Sequence, residues 1–142
     1  MQKYLNRVSG PLLDRIDLHV EVTPVPFNEL SSKTSQENSA CIRERVIRAR
    51  EIQTKRYEGH IDVYCNAQMS SKLLKQICII NTSGQNLLKT AMDKLNLSAR
   101  AYDRILKVSR TIADLTESEE IRVEHLAEAI HYRNLDREGW AG

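Results

Sequence analysis

Apolar residues recur at steps of three and four through almost the whole sequence after residue 38, and this is the period of an α-helix. The helical stretches are joined by short polar connections, which is typical of a bundle. The pattern predicts a mainly α protein whose core is a small helical bundle. We place the predicted helical domain at residues 39–138, followed by a tail at 139–142.

The predicted helices run from Ser39 to about Tyr57, over Ser70–Ile77, from caps at Ser83 and Ser98, and from Val123 to about Tyr132. Their predicted inward positions are Ile42, Val46, Ala49, Ile52 or Gln53, Leu87, Leu88, Ala91, Met92, Leu95, Tyr102, Ile105, Leu106, Ser109, Ile112, Ala113, Leu126, Ala129 and Ile130. We expect Arg104 and Arg110 on the exposed face of their helix.

The N-terminal part is different, because Leu18–Val22 alternates apolar and polar residues and predicts a strand that Pro24 and Pro26 end. No later segment offers it a partner strand. We therefore expect residues 1–27 to be the end of another domain whose sheet lies upstream, joined by a polar linker at 28–38. An unpaired strand of this kind is expected to be disordered or to pair with another copy.

Composition excludes several classes of protein. A hydrophobic fraction of 41% and a charged fraction of 28% argue against a disordered chain, and the longest apolar run, Ile77–Ile80, is too short to span a bilayer. The start of the chain has no secretory apolar region, so a cytoplasmic location is expected. The three cysteines and four histidines show no zinc or disulfide spacing, and no phosphate loop is present.

The first predicted helix has one strongly basic face. Two acidic residues, Glu44 and Glu51, share the helix with these basic ones: Arg43, Arg45, Arg48, Arg50, Lys55 and Arg56. Such a face is a candidate for DNA contact. An amphipathic surface helix in an oligomer would have the same pattern, so both interpretations stay open.

Two long motifs, Tyr4–Val22 and Leu97–Leu115, are more specific, and His125–Arg133 follows the second. Together with Cys65–Met69 they resemble the magnesium-chelatase-like AAA+ ATPases, in particular the ComM-type competence group. The resemblance covers nearly the whole chain. It implies that the helical domain is the small lid domain of such an ATPase, and that the first residues are the end of the ATPase core.

In this family the segment Leu-Leu-Asp-Arg, here residues 12–15, carries an arginine finger that reaches the nucleotide of the neighbouring subunit. The resemblance therefore implies this role in trans for Arg15. A guanidinium suits it, because it stabilises the charge that develops on the γ-phosphate. Without the motif, a surface cluster of Asp14, Arg15 and Asp17 would be an equal alternative.

The segment Leu-Ser-Ala-Arg, here residues 97–100, opens a lid helix in the family. Its arginine, Arg100, matches sensor 2, which contacts nucleotide within its own subunit. A cation in the first turn of a helix is mildly unfavourable for the helix dipole, so binding an anion would explain its position.

The resemblance implies a ring-forming ATPase that uses ATP and Mg²⁺ in its full-length form and acts on DNA in branch migration or natural transformation. The phosphate-loop and metal-holding segments would lie upstream of Met1. We therefore expect this fragment alone to bind no cofactor and to hydrolyse no ATP, and we name no metal ligand in it. The alternatives are a chelatase-type subunit for metal insertion into a tetrapyrrole, or a free-standing helical binding module, which the isolated strand disfavours.

Overall fold

The computed structural model describes residues 12, 15–20, 22, 24 and 37–133. Asp14, most of the predicted linker and the predicted tail lie outside the described residues. The helices from residue 37 onward are α1 (Ser39–Arg56), α2 (Ser71–Ile77), α3 (Thr82–Leu95), α4 (Ala99–Leu115) and α5 (Val123–His131), with a short 3₁₀ helix at Asn66–Gln68. The mainly α fold predicted from the periodicity is confirmed. In the described part, no helix is long and apolar enough to cross a membrane.

Side-chain oxygens fix where the helices begin. Asn38, Ser70 and Ser98 each accept a hydrogen bond from a backbone N–H in the first turn of the helix that follows. The predicted cap at Ser83 is wrong. The cap is Asn81, whose Oδ1 accepts a hydrogen bond from the N–H of Gly84 at 2.8 Å, and α3 begins at the next residue, Thr82. Asparagine is as strong a cap as serine, and here it comes first.

The core is built around α4, which packs against α1, α2, α5 and the 3₁₀ helix, while α3 packs against α5. Leu74, Leu88, Ile105 and Leu126 are among its most deeply buried side chains. The predicted inward stripe of α4 is correct except at Tyr102, which is exposed. Removing this apolar surface from water is the main force that holds the bundle together.

Helix α1 departs from its predicted stripe. Ala49 and Gln53 are buried as expected, but Ile42 and Val46 are 43% and 40% exposed. Burial in α1 is confined to its C-terminal half, because that half is the part beside α4 and the 3₁₀ helix. The sequence pattern showed which face is apolar, but could not show how far along the helix a neighbour covers it.

A buried ion cluster joins α1 to α4. The Asp114 carboxylate is fully buried, and Arg56 binds it with two hydrogen bonds of 2.7 and 2.5 Å. Arg110 Nε donates to the same carboxylate at 3.1 Å, and its other nitrogens donate to the carbonyls of Glu119 and Ser118. The prediction that Arg110 lies on an exposed face is wrong, because Asp114, one turn later, compensates its buried charge.

Asn66 is the neutral centre of the same cluster. Its side-chain oxygen accepts from Arg56 and from the Tyr57 hydroxyl at 2.7 Å, and its amide nitrogen donates to Thr111 and Asp114. Burial raises the pKa of Tyr57 to about 12, so its hydroxyl stays a donor. The side chain of Asn66 thus holds the 3₁₀ helix between α1 and α4 through hydrogen bonds to both.

The predicted N-terminal strand is not formed in the described residues of Leu18–Val22. Instead, the segment at residues 15–20 packs against its own helical domain. The N–H of His19 donates to the carbonyl of Tyr132 at 2.8 Å, Arg133 donates to the carbonyl of Ile16, and Asp17 forms an ion pair with Arg104. The carbonyls at the end of α5 thus supply partners for this part of the arm, while the expectation of disorder or of pairing with another copy for the arm from Tyr4 to Val22 stays a prediction.

The start of α5 is capped by a histidine. His125 Nδ1 accepts from the N–H of Arg122 at 3.1 Å, so its proton lies on Nε2, which faces the Thr116 hydroxyl at 3.2 Å. Burial lowers the pKa of His125 from its ordinary value of 6.5. A protonated Nδ1 could not accept the bond, so the cap requires the neutral ring.

We expect acidification to weaken the fold through His125. Its folded pKa lies below the unfolded value, so below 6.5 the unfolded chain binds more protons, and the free energy of unfolding falls as pH decreases toward the folded pKa. Urea unfolding at about pH 7.5 and about pH 5.5 measures this loss. His125→Gln retains an acceptor and should flatten the dependence, whereas substitution of exposed His60 by Gln should not. If the free energy of unfolding of His125→Gln depends on pH as strongly as that of the wild-type chain, His125 is not the group responsible.

Candidate anion-binding groove

A groove of about 510 Å³ lies between the segment at residues 15–20, α4 and α5. Asp17 and Leu18 form one wall, and Arg100 and Arg104 lie on the wall formed by α4. Its size is in the range of small-molecule sites in proteins.

Three cations lie along the groove face of α4. Arg100, Arg104 and Lys107 are spaced by four and three residues, which places them on one side of the helix. Ser98 caps the helix and so puts the exposed Arg100 in its first turn. Lys107 Nζ donates to the carbonyl of Ala67 at 2.9 Å, which holds its ammonium at the groove.

Arg104 is more enclosed than Arg100. Its side chain is only 23% exposed and pairs with Asp17, so the prediction that it lies on an exposed face is wrong. Its Nε is buried and has no hydrogen-bond partner among the residues that the structure describes. Docking of residues 15–20 over α4 encloses it, and helical periodicity gives no information about that contact.

The other part of the groove is apolar, with Leu18, Val108, Ile112 and Leu115 in its lining. Tyr132 is beside it, and its hydroxyl donates to Glu128 at 3.2 Å. Burial, reinforced by Glu128, raises the pKa of Tyr132. The groove therefore combines a basic part with an apolar part. A ligand with a negatively charged end and a flat apolar end would suit both parts.

Arg15 is exposed and is not among the residues that line the groove. Its N–H donates to the carbonyl of Leu12 at 2.9 Å in a turn. Of the two arginines singled out by the motifs, only Arg100 thus lines this groove. They are connected through Asp17, which follows Arg15 by two residues and contacts Arg104, one turn after Arg100.

The basic face of α1 is largely open. Arg45 pairs with Glu37 at 3.0 Å and Arg48 with Glu117 at 2.8 Å, both at exposed positions. The side chains that are exposed and have no ion pair within the described part of the chain are Arg43, Arg50 and Lys55. Arg56 is different, because it is bound to buried Asp114 and does not belong to the exposed basic face.

Within residues 12, 15–20, 22, 24 and 37–133, no group of three or more His, Cys, Asp or Glu side chains could hold a metal ion. Cys41, Cys65 and Cys78 are free thiols. Burial raises the pKa of Cys78 to about 11, so it is an unreactive core thiol.

Sequence reasoning missed Asp17, Lys107 and Tyr132 as groove residues and assigned Arg104 to the wrong face. A signal for the cations was present, because residues 100, 104 and 107 share one helical face. No signal existed for Asp17 or Tyr132, since their position depends on contacts between residues more than 80 positions apart.

Comparison with known families identifies this helical domain. The family description "Magnesium chelatase, subunit ChlI C-terminal" matches residues 36–133, and "Magnesium chelatase, subunit ChlI" matches residues 1–30. The chain therefore belongs to the magnesium chelatase family, in its ComM/YifB group.

Individual relatives match along nearly the whole chain. Competence protein ComM of Haemophilus influenzae is 47% identical over 138 residues, which are 96% of this chain and 26% of that protein. The uncharacterized protein YifB of Escherichia coli is 43% identical over 95% of this chain, and a Mycobacterium bovis protein, Mb2921c, is 33% identical over 93%. The chain spans about a quarter of the length of these curated relatives.

Proposed function

We propose that this chain is the lid-bearing part of an oligomeric AAA+ ATPase that binds ATP with Mg²⁺ and acts on DNA. The observation that carries the proposal is the family match over residues 36–133, together with a groove that contains Arg100 at the start of α4. Arg100 contacts nucleotide within its own subunit as sensor 2. Arg15 acts as an arginine finger on the nucleotide of the neighbouring subunit.

The composition of the groove supports a nucleotide as its ligand. The basic part suits phosphate oxygens, and the apolar part suits a base. The buried, unpartnered Nε of Arg104 shows that hydrogen-bonding capacity is available there. The residues present therefore fit the phosphates and the base of ATP. Lid movement on the ATPase core transmits hydrolysis to the ring.

The exposed basic face of α1 supports DNA as the substrate of the motor. Its free cations, Arg43, Arg50 and Lys55, can neutralise phosphates without first breaking an ion pair within the described residues. The relative named as a competence protein supports a role in natural transformation rather than a chelatase-type role. We place the protein in the cytoplasm, which agrees with three free thiols.

The test is DNA binding and DNA-stimulated ATP hydrolysis by the full-length protein. Arg43→Gln combined with Arg50→Gln should weaken DNA binding about tenfold and reduce the slope of log affinity against log salt by about two, because each phosphate contact contributes about one. Lys72→Gln combined with Lys89→Gln removes the same charge from exposed sites on α2 and α3 and should leave the slope unchanged. Equal slopes in the two double variants would exclude α1 as the DNA-binding face.

A further inference from the structure

We propose that Arg104 is a second phosphate-binding residue of the groove, and that Asp17 is an intramolecular anion that a triphosphate displaces from it. Ligand entry would then release the contact that holds the Arg15 segment against α4. This inference rests on the proposed function, because it concerns the same groove. It adds a residue and a ligand-controlled contact that the family resemblance does not contain.

The first support is the unsatisfied state of the Arg104 guanidinium. Its Nη1 is paired with Asp17, but its Nε is buried without a hydrogen-bond partner among the described residues. Buried N–H groups are nearly always satisfied, so an orphan of this kind indicates a missing ligand or water. A carboxylate and a phosphate present similar oxygen pairs to a guanidinium, so Asp17 occupies the place of a phosphate.

The second support is the way the other groove carboxylates are already engaged. Asp103 accepts from the Ser71 hydroxyl at 3.3 Å, and Glu128 accepts from the Tyr132 hydroxyl at 3.2 Å. Among the groove carboxylates, Asp17 is the one that forms an ion pair with a cation of the groove, Arg104. Its side chain is 55% exposed, and ion pairs at such positions are weak enough to exchange.

The third support is where the exchange would act. Asp17 is two residues from Arg15. The segment is also held by a backbone bond from the His19 N–H to the carbonyl of Tyr132, and by the Arg133 guanidinium, which donates to the carbonyl of Ile16. Loss of the Asp17 contact would therefore remove the ion pair between this segment and α4, while the bonds at Ile16 and His19 remain. Occupancy of the groove is thereby coupled to how firmly the segment that carries Arg15 is held against α4.

The ligand is a triphosphate group rather than the backbone of a nucleic acid. A groove of about 510 Å³ accommodates a small molecule, but it is too small for a duplex, whose major groove alone is about 12 Å wide. Arg100 lies one turn before Arg104 and Lys107 about one turn after it, so successive phosphates of one ligand can meet successive cations.

The test is calorimetric titration of the full-length protein with inorganic tripolyphosphate and with ATP. Arg104→Gln should weaken both at least tenfold, through loss of a charge-assisted bond. Asp17→Asn should tighten both about two- to fivefold, because the competing anion is gone. Arg122→Gln and Asp93→Asn make the same charge changes at exposed sites away from the groove and should leave both affinities unchanged. Arg104→Lys keeps the charge and tests the same site if the Gln variant unfolds, with an expected loss of a few-fold.

Hydrogen exchange provides the second readout. Saturating tripolyphosphate should accelerate exchange at residues 15–17 in the wild-type chain. In Asp17→Asn the ion pair is already absent, so exchange at residues 15–17 should already be fast and tripolyphosphate should not accelerate it further. A merely structural ion pair would give the same exchange with and without tripolyphosphate in both proteins, which would overturn the proposal.

The outcomes separate this inference from the proposed function. Full affinity in Arg104→Gln, weaker binding in Asp17→Asn, or displacement of Asp17 by a short single-stranded DNA but not by tripolyphosphate would each overturn the inference and leave Arg100 as sensor 2. If the exchange occurs but the full-length protein does not hydrolyse ATP, the inference stands and the proposed ATPase function fails.

Discussion

Replacement of Arg15 with alanine is expected to reduce kcat of the full-length protein by about 10³-fold or more, while nucleotide binding changes little. The reason is that an arginine finger acts mainly on the transition state, where charge develops on the transferred phosphoryl group. Steady-state ATP hydrolysis and equilibrium binding of a fluorescent nucleotide measure the two effects separately. The exposed position of Arg15, outside the groove of its own chain, agrees with action on a neighbouring subunit.

Arg100→Ala is the matched variant, because this arginine lines the groove of its own chain. It should weaken nucleotide binding or lid closure, so that kcat and KM change together. If the two arginines act from opposite sides of one interface, rings mixed from both variants contain some sites with both arginines, and activity partly returns. A mixture that assembles but is no more active than its components would contradict either the trans role of Arg15 or the cis role of Arg100.

Asp114→Asn is expected to reduce the free energy of unfolding of the 142-residue chain by about 3–5 kcal/mol, which is the usual cost when one partner of a buried ion pair is removed. The substitution preserves shape, so the loss comes from charge. Arg56 and Arg110 would remain buried or half-buried without their counter-ion. Burial of one carboxylate between two guanidinium groups also explains why the pKa of Arg56 is raised, with the Asp114 hydrogen bond as the largest cause.

Urea unfolding measures this loss as a lower midpoint at an unchanged slope. Asp93→Asn is the matched control, because it makes the same change at an exposed position of α3 and should shift stability by no more than about 0.5 kcal/mol. A double-mutant cycle with Arg56→Gln should show strong coupling, since the second substitution removes a charge that the first left unpaired. A midpoint in Asp114→Asn equal to that of Asp93→Asn would mean that the ion cluster does not stabilise the bundle.

The domain division at 28–38 and the roles of Arg15, Arg100 and the basic residues of α1 remain predictions from sequence. Three observations are consistent with these predictions: Arg15 is exposed, Arg100 lines the groove, and the family description matches residues 36–133. For Arg56 the structure adds a specific constraint, because a residue bound to a buried carboxylate cannot also be an exposed DNA contact.

Local information in the sequence was sufficient for the start of α4 and for most of its buried face. The three- and four-residue period of α4 located Ile105, Leu106 and Ala113 in the interior, and Ser98 marked its start, because period and caps depend on neighbours within one or two turns. The Leu-Ser-Ala-Arg motif also put Arg100 in the first turn of that helix.

Tertiary structure alone decided the features that depend on distant partners. A helical wheel cannot show that Arg110 is buried, because its position inside the bundle requires Asp114, Arg56 and Asn66 to meet from three elements. Nor could an alternating pentapeptide show that His19 would bond to the end of α5, since backbone groups bind whichever unpaired carbonyl the fold brings near. The groove exists for the same reason: its two walls are separated by more than 80 residues in sequence and meet only when the N-terminal segment docks.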